Sequence, residues 1–233
     1  MTTESPRRHE RIEAAVQRVR RARVTELCGR VVQIIGLVIE SEGPVAALGE
    51  VCRIQSSRQD TVSLAEVVGF RNHHLLLMPL GEIHGLHPGC EVIATGLPLR
   101  ASVGSGLPGR VIDGLGRPID NLGPLSGQHT VSLNLPPPHP LKRQRIAHVF
   151  RTGVKALDTF TPLGRGQRLG IFAGSGVGKS TLLGMMASQA EADVNVIALI
   201  GERGREVREF LERDLDAAGR RKSVVIVATS NEP

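Results

Sequence analysis

The sequence predicts an α/β domain with a mainly parallel sheet, preceded by a small all-β barrel domain and an N-terminal helix. Two observations carry this prediction. Residues 29–96 contain short β-favouring runs broken by turn residues, with no helical pattern between them. After residue 168, strand-like and helix-like patterns alternate, which is typical of a parallel sheet covered by helices. The 233 residues are enough for one large domain or two small ones.

The composition excludes several classes of protein. The longest apolar runs, at residues 34–39 and 75–80, are far shorter than the ~20 residues that a membrane-spanning helix needs. The Arg-rich N-terminus has no apolar run behind it and is therefore not a secretory signal. Three dispersed cysteines, Cys28, Cys52 and Cys90, favour buried thiols in a reducing cytoplasm over a disulfide framework.

The first predicted element is a helix over residues 7–22, within a basic N-terminal segment of residues 1–26. Its apolar residues recur at helical spacing and form one stripe: Ile12, Ala15, Val16 and Val19. Residues 1–23 hold seven arginines against three glutamates, so four of the six net positive charges lie there. Such a helix fits docking on a partner protein or an anionic membrane surface. The same pattern is equally compatible with an ordinary N-terminal helix whose arginine face is solvated.

The second predicted unit is a barrel domain over residues 27–96. Its β-favouring runs are separated by Gly, Pro, Ser and Asn turn signals and lie at residues 31–40, 51–54, 62–70, 75–80 and 91–95. Five or six strands at this spacing, with no helix between them, predict a small closed barrel.

Residues 97–233 are predicted to form the third unit, an α/β domain. Its first part is rich in Gly and Pro, with a turn cluster at residues 113–120 and a stiff, extended linker at residues 135–141. The regular elements that follow are a strand at 169–172, a helix at 179–192, a strand at 194–200, a helix at 205–218 and a strand at 224–228. Gly219 is expected to cap the second of these helices.

The strongest chemical signal is a glycine-rich loop between the first of these strands and the first helix. It runs Ala173-Gly-Ser-Gly-Val-Gly-Lys-Ser180 and fits the phosphate-binding loop pattern, except that alanine replaces the first glycine. The glycines let successive backbone N–H groups point at phosphate oxygens, and the following helix adds its positive dipole end. The predicted nucleotide-binding residues are Ala173, Gly174, Ser175, Gly176, Val177, Gly178, Lys179, Ser180 and Thr181.

Three side chains of this loop have predicted roles with ATP and Mg²⁺. Lys179 would reach the β- and γ-phosphates, and the Ser180 hydroxyl would ligate Mg²⁺. Thr181 is placed to touch the α-phosphate. The alternative is a glycine-rich turn that merely joins a strand to a helix. The Gly-Lys-Ser ending and the strand–loop–helix context favour the nucleotide site over that alternative.

A second signal, Gly201-Glu-Arg-Gly-Arg-Glu206, follows the next predicted strand. Ligands of parallel sheets bind at the carboxyl ends of the strands, so Glu202 could lie near the loop and orient or deprotonate an attacking water. The alternative is a solvated charge cluster at the start of a helix, a position that suits Glu206. Taken by itself, this segment favours neither interpretation over the other. Together with the loop 23 residues upstream, the segment favours catalysis by Glu202.

These motifs together resemble those of the type III secretion ATPases, relatives of the catalytic subunit of rotary ATP synthases. The resemblance also rests on the turn at residues 113–120 and on Thr161-Pro-Leu-Gly-Arg-Gly-Gln-Arg168. Within that family the barrel segments Val67-Val-Gly-Phe70 and Leu77-Met-Pro-Leu-Gly81 are most similar to the flagellar protein-export ATPases. The resemblance covers the chain from about residue 24 onward.

The resemblance implies a β-barrel followed by a RecA-like nucleotide-binding core, assembled as a homohexameric ring with ATP between subunits. It gives Lys179 and Ser180 the phosphate and metal roles, makes Glu202 the catalytic glutamate and places Arg203 near the γ-phosphate. It further implies a regulatory stalk-like export protein on the N-terminal helix, export chaperones and substrates as partners, and a cytoplasmic protein peripheral to the inner-membrane export apparatus.

In this family the core continues with a strand that ends in a Mg²⁺-positioning Asp, an arginine finger and an adenine-contacting aromatic residue. None of them has a counterpart before Pro233. The resemblance therefore implies an N-terminal fragment with an incomplete RecA-like core. We expect residues 1–233 to hydrolyse ATP very poorly on their own.

Three other functions compete with flagellar export. A virulence-type (injectisome) secretion ATPase has the same motifs, and a non-hydrolysing ring subunit would keep the loop. A Rho-like nucleic-acid motor also joins a small barrel to a RecA-like core. Residues 29–96, however, hold seven acidic residues against four arginines, and their single aromatic residue is Phe70. An acidic barrel without stacking aromatics argues against a nucleic-acid partner.

A weaker signal is the segment His84-Gly-Leu-His-Pro-Gly-Cys90, which places three potential metal ligands within seven residues. The spacing matches no closed zinc set, and no fourth ligand is evident. We therefore expect a turn between barrel strands here.

Overall fold

A computed structural model describes residues 28–56, 59–174 and 176–230. The predicted helix over residues 7–22 and Ser175 of the glycine-rich loop lie outside the described residues. The chain divides into two compact units. The first holds the chain up to Met78 together with His84–Gly96, and the second holds Pro79–Ile83 and the chain from Leu97. The predicted boundaries after residues 26 and 96 stay predictions.

The first unit is a closed barrel with the strand order β1-β2-β5-β4-β3-β6. The strands are β1 (Cys28–Ile35), β2 (Val38–Glu42), β3 (Glu50–Ser56), β4 (Gln59–Arg71), β5 (His74–Pro79) and β6 (Glu91–Pro98). The described part of this unit thus has the predicted all-β character.

The β-favouring run at residues 31–40, which the sequence predicts as one strand, is two. Strands β1 and β2 form an antiparallel hairpin in which Ile35 pairs with Val38. Gly36 occupies the turn with a φ of 60°, a conformation that glycine adopts without a steric penalty. An apolar run with a glycine inside it therefore folds back on itself, and the sixth strand of the barrel arises in this way.

The barrel interior is filled by small and branched apolar side chains. Those buried include Val31, Ile39, Cys52, Ile54, Ala65, Val67, Leu75, Leu77 and Val92. Alternate residues of β5 are buried, as the two-residue period of a half-buried strand requires. The barrel is thus held by ordinary apolar burial, at roughly 25 cal/mol for each Å² removed from water.

One carboxylate is buried in the barrel wall. Glu40 is 5% exposed and accepts hydrogen bonds from Gln33 Nε2 and from Arg71 Nη2 at 2.9 Å, and His74 Nδ1 lies 3.1 Å from its Oε1. The bonds from Gln33 and His74, with that from Arg71, lower the pKa of Glu40 from the ordinary 4.5 to about 2. Glu40 is therefore ionised in the folded barrel well below the pH at which it is protonated in the unfolded chain.

This lowered pKa predicts an acid-sensitive barrel. The stabilisation from ionised Glu40 is fully present above pH 4.5 and is lost as the pH falls from 4.5 towards 2. We expect the urea midpoint, followed by far-ultraviolet circular dichroism, to fall more steeply over this range in the unsubstituted chain than in Glu40→Gln. The control is Glu42→Gln, at the exposed end of the same strand, which should keep the steep fall. Equal slopes in the unsubstituted chain and Glu40→Gln would contradict the assignment.

The second unit contains a three-stranded parallel sheet with helices packed against it. Its described strands are β7 (Arg100–Gly104), β8 (Val111–Asp113), β9 (Gln128–Ser132), β10 (Val149–Phe150), β11 (Leu163–Gly164), β12 (Asn195–Glu202) and β13 (Ser223–Thr229). The parallel sheet has the order β12-β13-β8, while β7 pairs with β9 and β10 with β11.

The helices of this unit are short. They are a 3₁₀-helix (Pro140–Lys142), α1 (Lys155–Phe160), α2 (Lys179–Gln189), α3 (Gly204–Glu209), a π-helix (Phe210–Asp214) and α4 (Ala217–Arg221). A buried cluster joins α2, α3, the π-helix and the sheet: Val111, Ala187, Val207, Phe210, Leu215, Val225 and Val227. No helix among the described residues is long and apolar enough to cross a membrane.

The strand predicted at residues 169–172 does not form, so this prediction is wrong. A strand is stable only when a neighbouring strand completes its backbone hydrogen bonds, and no described strand pairs with this run. Its apolar residues are instead solvent-accessible, and the Phe172 side chain is 98% exposed. The apolar pattern of these residues alone is therefore not enough to predict a strand.

The predicted helices also end elsewhere. The first ends at Gln189 rather than residue 192, and the predicted helix over 205–218 is three pieces. Asp216 starts a new helix because its carboxylate accepts a 2.6 Å hydrogen bond from the Gly219 N–H, as an N-cap does. Gly219 therefore lies inside α4 and is not a C-cap. Close packing requires a glycine at this position, since a Cβ there would lie 2.7 Å from Ser188 Oγ.

Strand β8 was not predicted, although the turn cluster beginning at Asp113 was. A buried ion pair fixes this region: Asp120, with a side chain 2% exposed, accepts from Arg110 Nε at 2.7 Å and Nη2 at 2.8 Å. The Val111 N–H donates to the same carboxylate at 3.0 Å. The bond from Arg110 is the main reason why the pKa of Asp120 lies far below its usual value. Asp120 is thereby tied to the first residue of β8 and to Arg110, ten residues earlier in the chain.

Candidate functional site

The glycine-rich loop precedes α2 and lies open at the surface. Gly176 has a φ of 78° and Gly178 a φ of 96°, conformations that residues with a side chain rarely adopt. A Cβ at Gly174, Gly176 or Gly178 would meet no atom within 4 Å. Gly176 and Gly178 are therefore required by the backbone conformation and not by close packing. The space beside all three glycines is open.

Within the part of the chain that the structure describes, no side chain caps the N-terminus of helix α2. Gly178 occupies the N-cap position, and no acidic residue lies in the first turn. The first intrahelical bond runs from the Leu182 N–H to the Gly178 carbonyl at 2.9 Å. The preceding N–H groups have no acceptor within the helix, and the dipole end attracts an anion. An 11-residue helix beginning in this way suits a phosphate.

Lys179 and Ser180 stand in the first turn of α2 and are exposed. A cationic side chain and a hydroxyl thus accompany the free N–H groups, which is the donor set that a nucleotide phosphate with Mg²⁺ requires. Thr181 behaves differently, because its Oγ1 donates to Asp214 Oδ1 at 3.3 Å. Ala173, Gly174 and Val177 are exposed with the rest of the described loop.

Glu202 lies at the carboxyl end of β12, beside Thr229 of β13. The register of these strands shifts between Ile200 and Glu202, and Gly201 has a φ of 72°. The Glu202 carbonyl accepts a 3.0 Å hydrogen bond from the Ser230 N–H, which holds the strand end to its neighbour. Glu202 is half-buried at the sheet edge where ligands of parallel sheets bind.

Arg203 is the N-cap residue of α3, and Glu206 lies in the first turn of that helix. Both are exposed. Among the described residues, no hydrogen bond or ion pair joins Glu202 or Arg203 to the glycine-rich loop. The parts of the site are connected instead through the packing of α2 on the segment that follows α3. The catalytic roles of Glu202 and Arg203 stay predictions.

The donor set fits a nucleotide phosphate and, with it, Mg²⁺. The described part of the chain contains no group of three or more His, Cys, Asp or Glu side chains that could hold a metal ion. A hydroxyl such as that of Ser180 is an oxygen donor of the kind that would hold Mg²⁺ together with phosphate oxygens. The His84–Cys90 segment is a turn-containing connection before β6, in which Cys90 Sγ accepts a 3.3 Å hydrogen bond from the His87 N–H.

Two family models match the chain. Residues 31–96 match the beta-barrel domain of the ATP synthase alpha/beta family, and residues 153–233 match the nucleotide-binding domain of the same family. The chain belongs to the ATP synthase alpha/beta family. The glycine-rich loop, Glu202 and Arg203 all lie within the nucleotide-binding domain of this family member.

Curated relatives of this family member include flagellum-specific ATP synthases and a type 3 secretion system ATPase. It is 52% identical over 206 residues to the flagellum-specific ATP synthase of Bacillus subtilis, an alignment covering 88% of the chain and 47% of the relative. It is 48% identical over 203 residues to the type 3 secretion system ATPase of Xanthomonas euvesicatoria, covering 87% and 46%. The chain thus spans about half the length of the curated relatives it matches.

A solved structure agrees with these matches. The assembled ATPase EscN of the enteropathogenic E. coli type III secretion system superposes with a TM-score of 0.77 at 41% identity, covering 88% of this chain and 49% of EscN. The predicted resemblance to the secretion ATPases is confirmed, and so is the predicted fold class of a β-barrel followed by a nucleotide-binding domain.

Sequence reasoning did not find Asp214 as a residue of this site. No motif contains it, and its relation to the loop depends on the contact with Thr181. The only signal available was its position on the apolar face of the predicted helix, beside Phe210 and Leu211, where a charged residue is unexpected.

Proposed function

We propose that this chain binds Mg²⁺–ATP at the 173–181 loop and supplies the nucleotide site of an ATPase that energises flagellar type III protein export. The observation that carries the proposal is the uncapped N-terminus of α2, with Lys179 and Ser180 in its first turn. The identity to flagellum-specific ATP synthases of Bacillus subtilis and Treponema pallidum, at 52% and 45%, supports the flagellar assignment.

In this mechanism the loop positions the phosphates and offsets their charge. Backbone N–H groups and the α2 dipole hold the phosphate chain, while the Lys179 ammonium neutralises charge on the β- and γ-phosphates. The Ser180 hydroxyl would hold Mg²⁺, which would supply further charge stabilisation on the phosphate oxygens. Glu202 orients the attacking water and accepts its proton, and Arg203 stabilises charge on the γ-phosphate.

A virulence-type secretion ATPase is the second candidate, favoured by the 48% identity to the Xanthomonas euvesicatoria protein and by the match to EscN. The two functions share the same chemistry and differ in the secretion system that the ATPase serves. Deleting the gene from its native cell distinguishes them, because loss of flagellar filaments supports the first and loss of injectisome secretion supports the second.

We further propose partners that follow from these relatives. EscN has been solved both assembled and in complex with its central stalk EscO, which supports a homohexamer and a stalk-like partner here. The N-terminal segment would bind a regulatory export protein. Export chaperones and export substrates would be further partners. The protein would act in the cytoplasm, peripheral to the inner-membrane export apparatus, without a nucleic-acid partner.

The direct test is a titration with mant-ATP in the presence of Mg²⁺. The sequence has no Trp or Tyr to act as an energy-transfer donor, so the mant group is excited directly and its own emission reports binding. We expect the unsubstituted chain to bind and Lys179→Ala to bind at least about tenfold more weakly, since a charge-assisted phosphate contact is lost. Lys155→Ala, in exposed α1, is the matched control and should bind normally. Equal binding by Lys179→Ala would overturn the proposal.

A further inference from the structure

One face of α2 is fixed to the end of the π-helix and to the residues that follow it. Thr181, Gly184 and Ser188 follow the i, i+3, i+7 spacing of a helix face. Thr181 donates to Asp214 at 3.3 Å, and Ser188 Oγ donates to Asp216 Oδ1 at 2.7 Å. Between them, a Cβ on Gly184 would lie 2.0 Å from the Asp214 carbonyl oxygen, so the backbones are in close contact. The contact nearest to the phosphate-binding loop is the one between Thr181 and Asp214.

Asp214 is a buried carboxylate. Its side chain is 5% exposed, whereas that of its neighbour Arg213 is 66% exposed. Arg213 Nε and Nη2 each donate to the carboxylate at 3.2 Å. A carboxylate removed from water costs free energy unless its oxygens are paired, and here a guanidinium and the Thr181 hydroxyl pair them.

Asp214 also ends the segment that begins with Glu202. From Glu202 the chain passes through α3 and the π-helix without a break, and the Leu215 N–H bonds to the Phe210 carbonyl at 2.9 Å, the i→i−5 pattern of a π-turn. Single π-turns within helices are frequent at functional sites. One continuous segment therefore has the predicted catalytic glutamate at its start and contacts the phosphate-binding helix at its end.

We infer that Asp214 is a positioning residue for nucleotide binding, acting through Thr181 on the first turn of α2; this inference rests on the proposed function. A threonine hydroxyl has one proton to donate. While that proton is given to Asp214, the Thr181 side chain has none for a phosphate oxygen, and its backbone N–H becomes the donor to the α-phosphate. Asp214 thus fixes the direction of the first turn and joins it to the Glu202 segment.

The test is a mant-ATP titration of the full 233-residue chain and its variants with Mg²⁺, together with thermal melting of each variant. Thr181→Val removes the hydroxyl at nearly constant volume, and Asp214→Ala removes the acceptor. We expect each to raise the Kd about fivefold to tenfold, the effect of losing one typical hydrogen bond. Because both break one contact, the double variant should be no weaker than the weaker single variant. Thr181→Ser keeps the hydroxyl and should restore the unsubstituted Kd.

The matched control is Ser188→Ala, which breaks the other side-chain hydrogen bond of the same helix face, two turns from the loop. It should lower the melting temperature and leave the Kd within about twofold. The inference is overturned if Thr181→Val or a folded Asp214→Ala binds like the unsubstituted chain, or if Ser188→Ala weakens binding as much as Thr181→Val does. If Asp214→Ala fails to fold, Thr181→Val and Thr181→Ser still decide. Absence of binding by the unsubstituted chain would overturn the proposed function, and the inference with it.

Discussion

Glu202→Gln is expected to lower ATP turnover about 10²-fold to 10⁴-fold, the range for loss of a general base. Glutamine keeps the size and the hydrogen-bonding oxygen of the side chain but cannot accept the proton of the attacking water. Nucleotide affinity should stay within about twofold, because the phosphate contacts come from the 173–181 loop. The measurement is steady-state phosphate release, compared with mant-ATP binding by the same protein.

This assay needs a protein with robust turnover, and the chain spans about half the length of the curated relatives it matches. A chimera joining residues 1–233 to the following half of the Bacillus subtilis relative provides one, since the two align over 206 residues at 52% identity. Glu206→Gln, in the exposed first turn of α3, is the control and should keep most of the activity. Normal turnover by the Glu202→Gln chimera would remove Glu202 from the mechanism.

Gly184→Ala is expected to have the largest effect on stability. Its Cβ would lie 2.0 Å from the Asp214 carbonyl oxygen, which belongs to backbone and cannot turn aside. Helix α2 would have to move away from the π-helix and from the cluster around Phe210. Such overpacking costs about 1–3 kcal/mol, which corresponds to a fall of about 3–10 °C in the melting temperature.

The matched control for this substitution is Gly204→Ala at the first position of α3. No atom lies within 4 Å of a Cβ there and its φ is not positive, so alanine should be neutral or slightly stabilising. Thermal melting followed by far-ultraviolet circular dichroism measures both variants. An unchanged melting temperature for Gly184→Ala would mean that α2 does not pack against Asp214 as described.

Features specified by neighbouring residues were predicted well from the sequence. The loop is one, because the positive φ values of Gly176 and Gly178 and the helix that begins at Lys179 are encoded within a few residues. The barrel is another, since turn residues at regular spacing set its strands. Gly36 illustrates the limit of this approach, because a single glycine within an apolar run decided between one strand and two.

Features specified by distant residues were predicted poorly. Residues 169–172 have the composition of a strand, but no described strand pairs with them. The break at Asp216 depends on a cap that competes with the continuing helix. Asp214 owes its environment to Thr181, 33 residues away in the chain, and no local pattern reports such a contact. Pairing and packing across the chain decided each of these cases.

The central claim is that the first turn of α2 binds the phosphates of ATP, and residue-resolved hydrogen–deuterium exchange tests it most directly. The N–H groups of Gly178 to Thr181 have no acceptor within the helix and should exchange rapidly in the free chain. We predict that Mg²⁺–ATP slows their exchange in the unsubstituted chain and slows it much less in Lys179→Ala at the same nucleotide concentration. Unchanged exchange at these amides, with protection appearing elsewhere in the chain, would contradict the account.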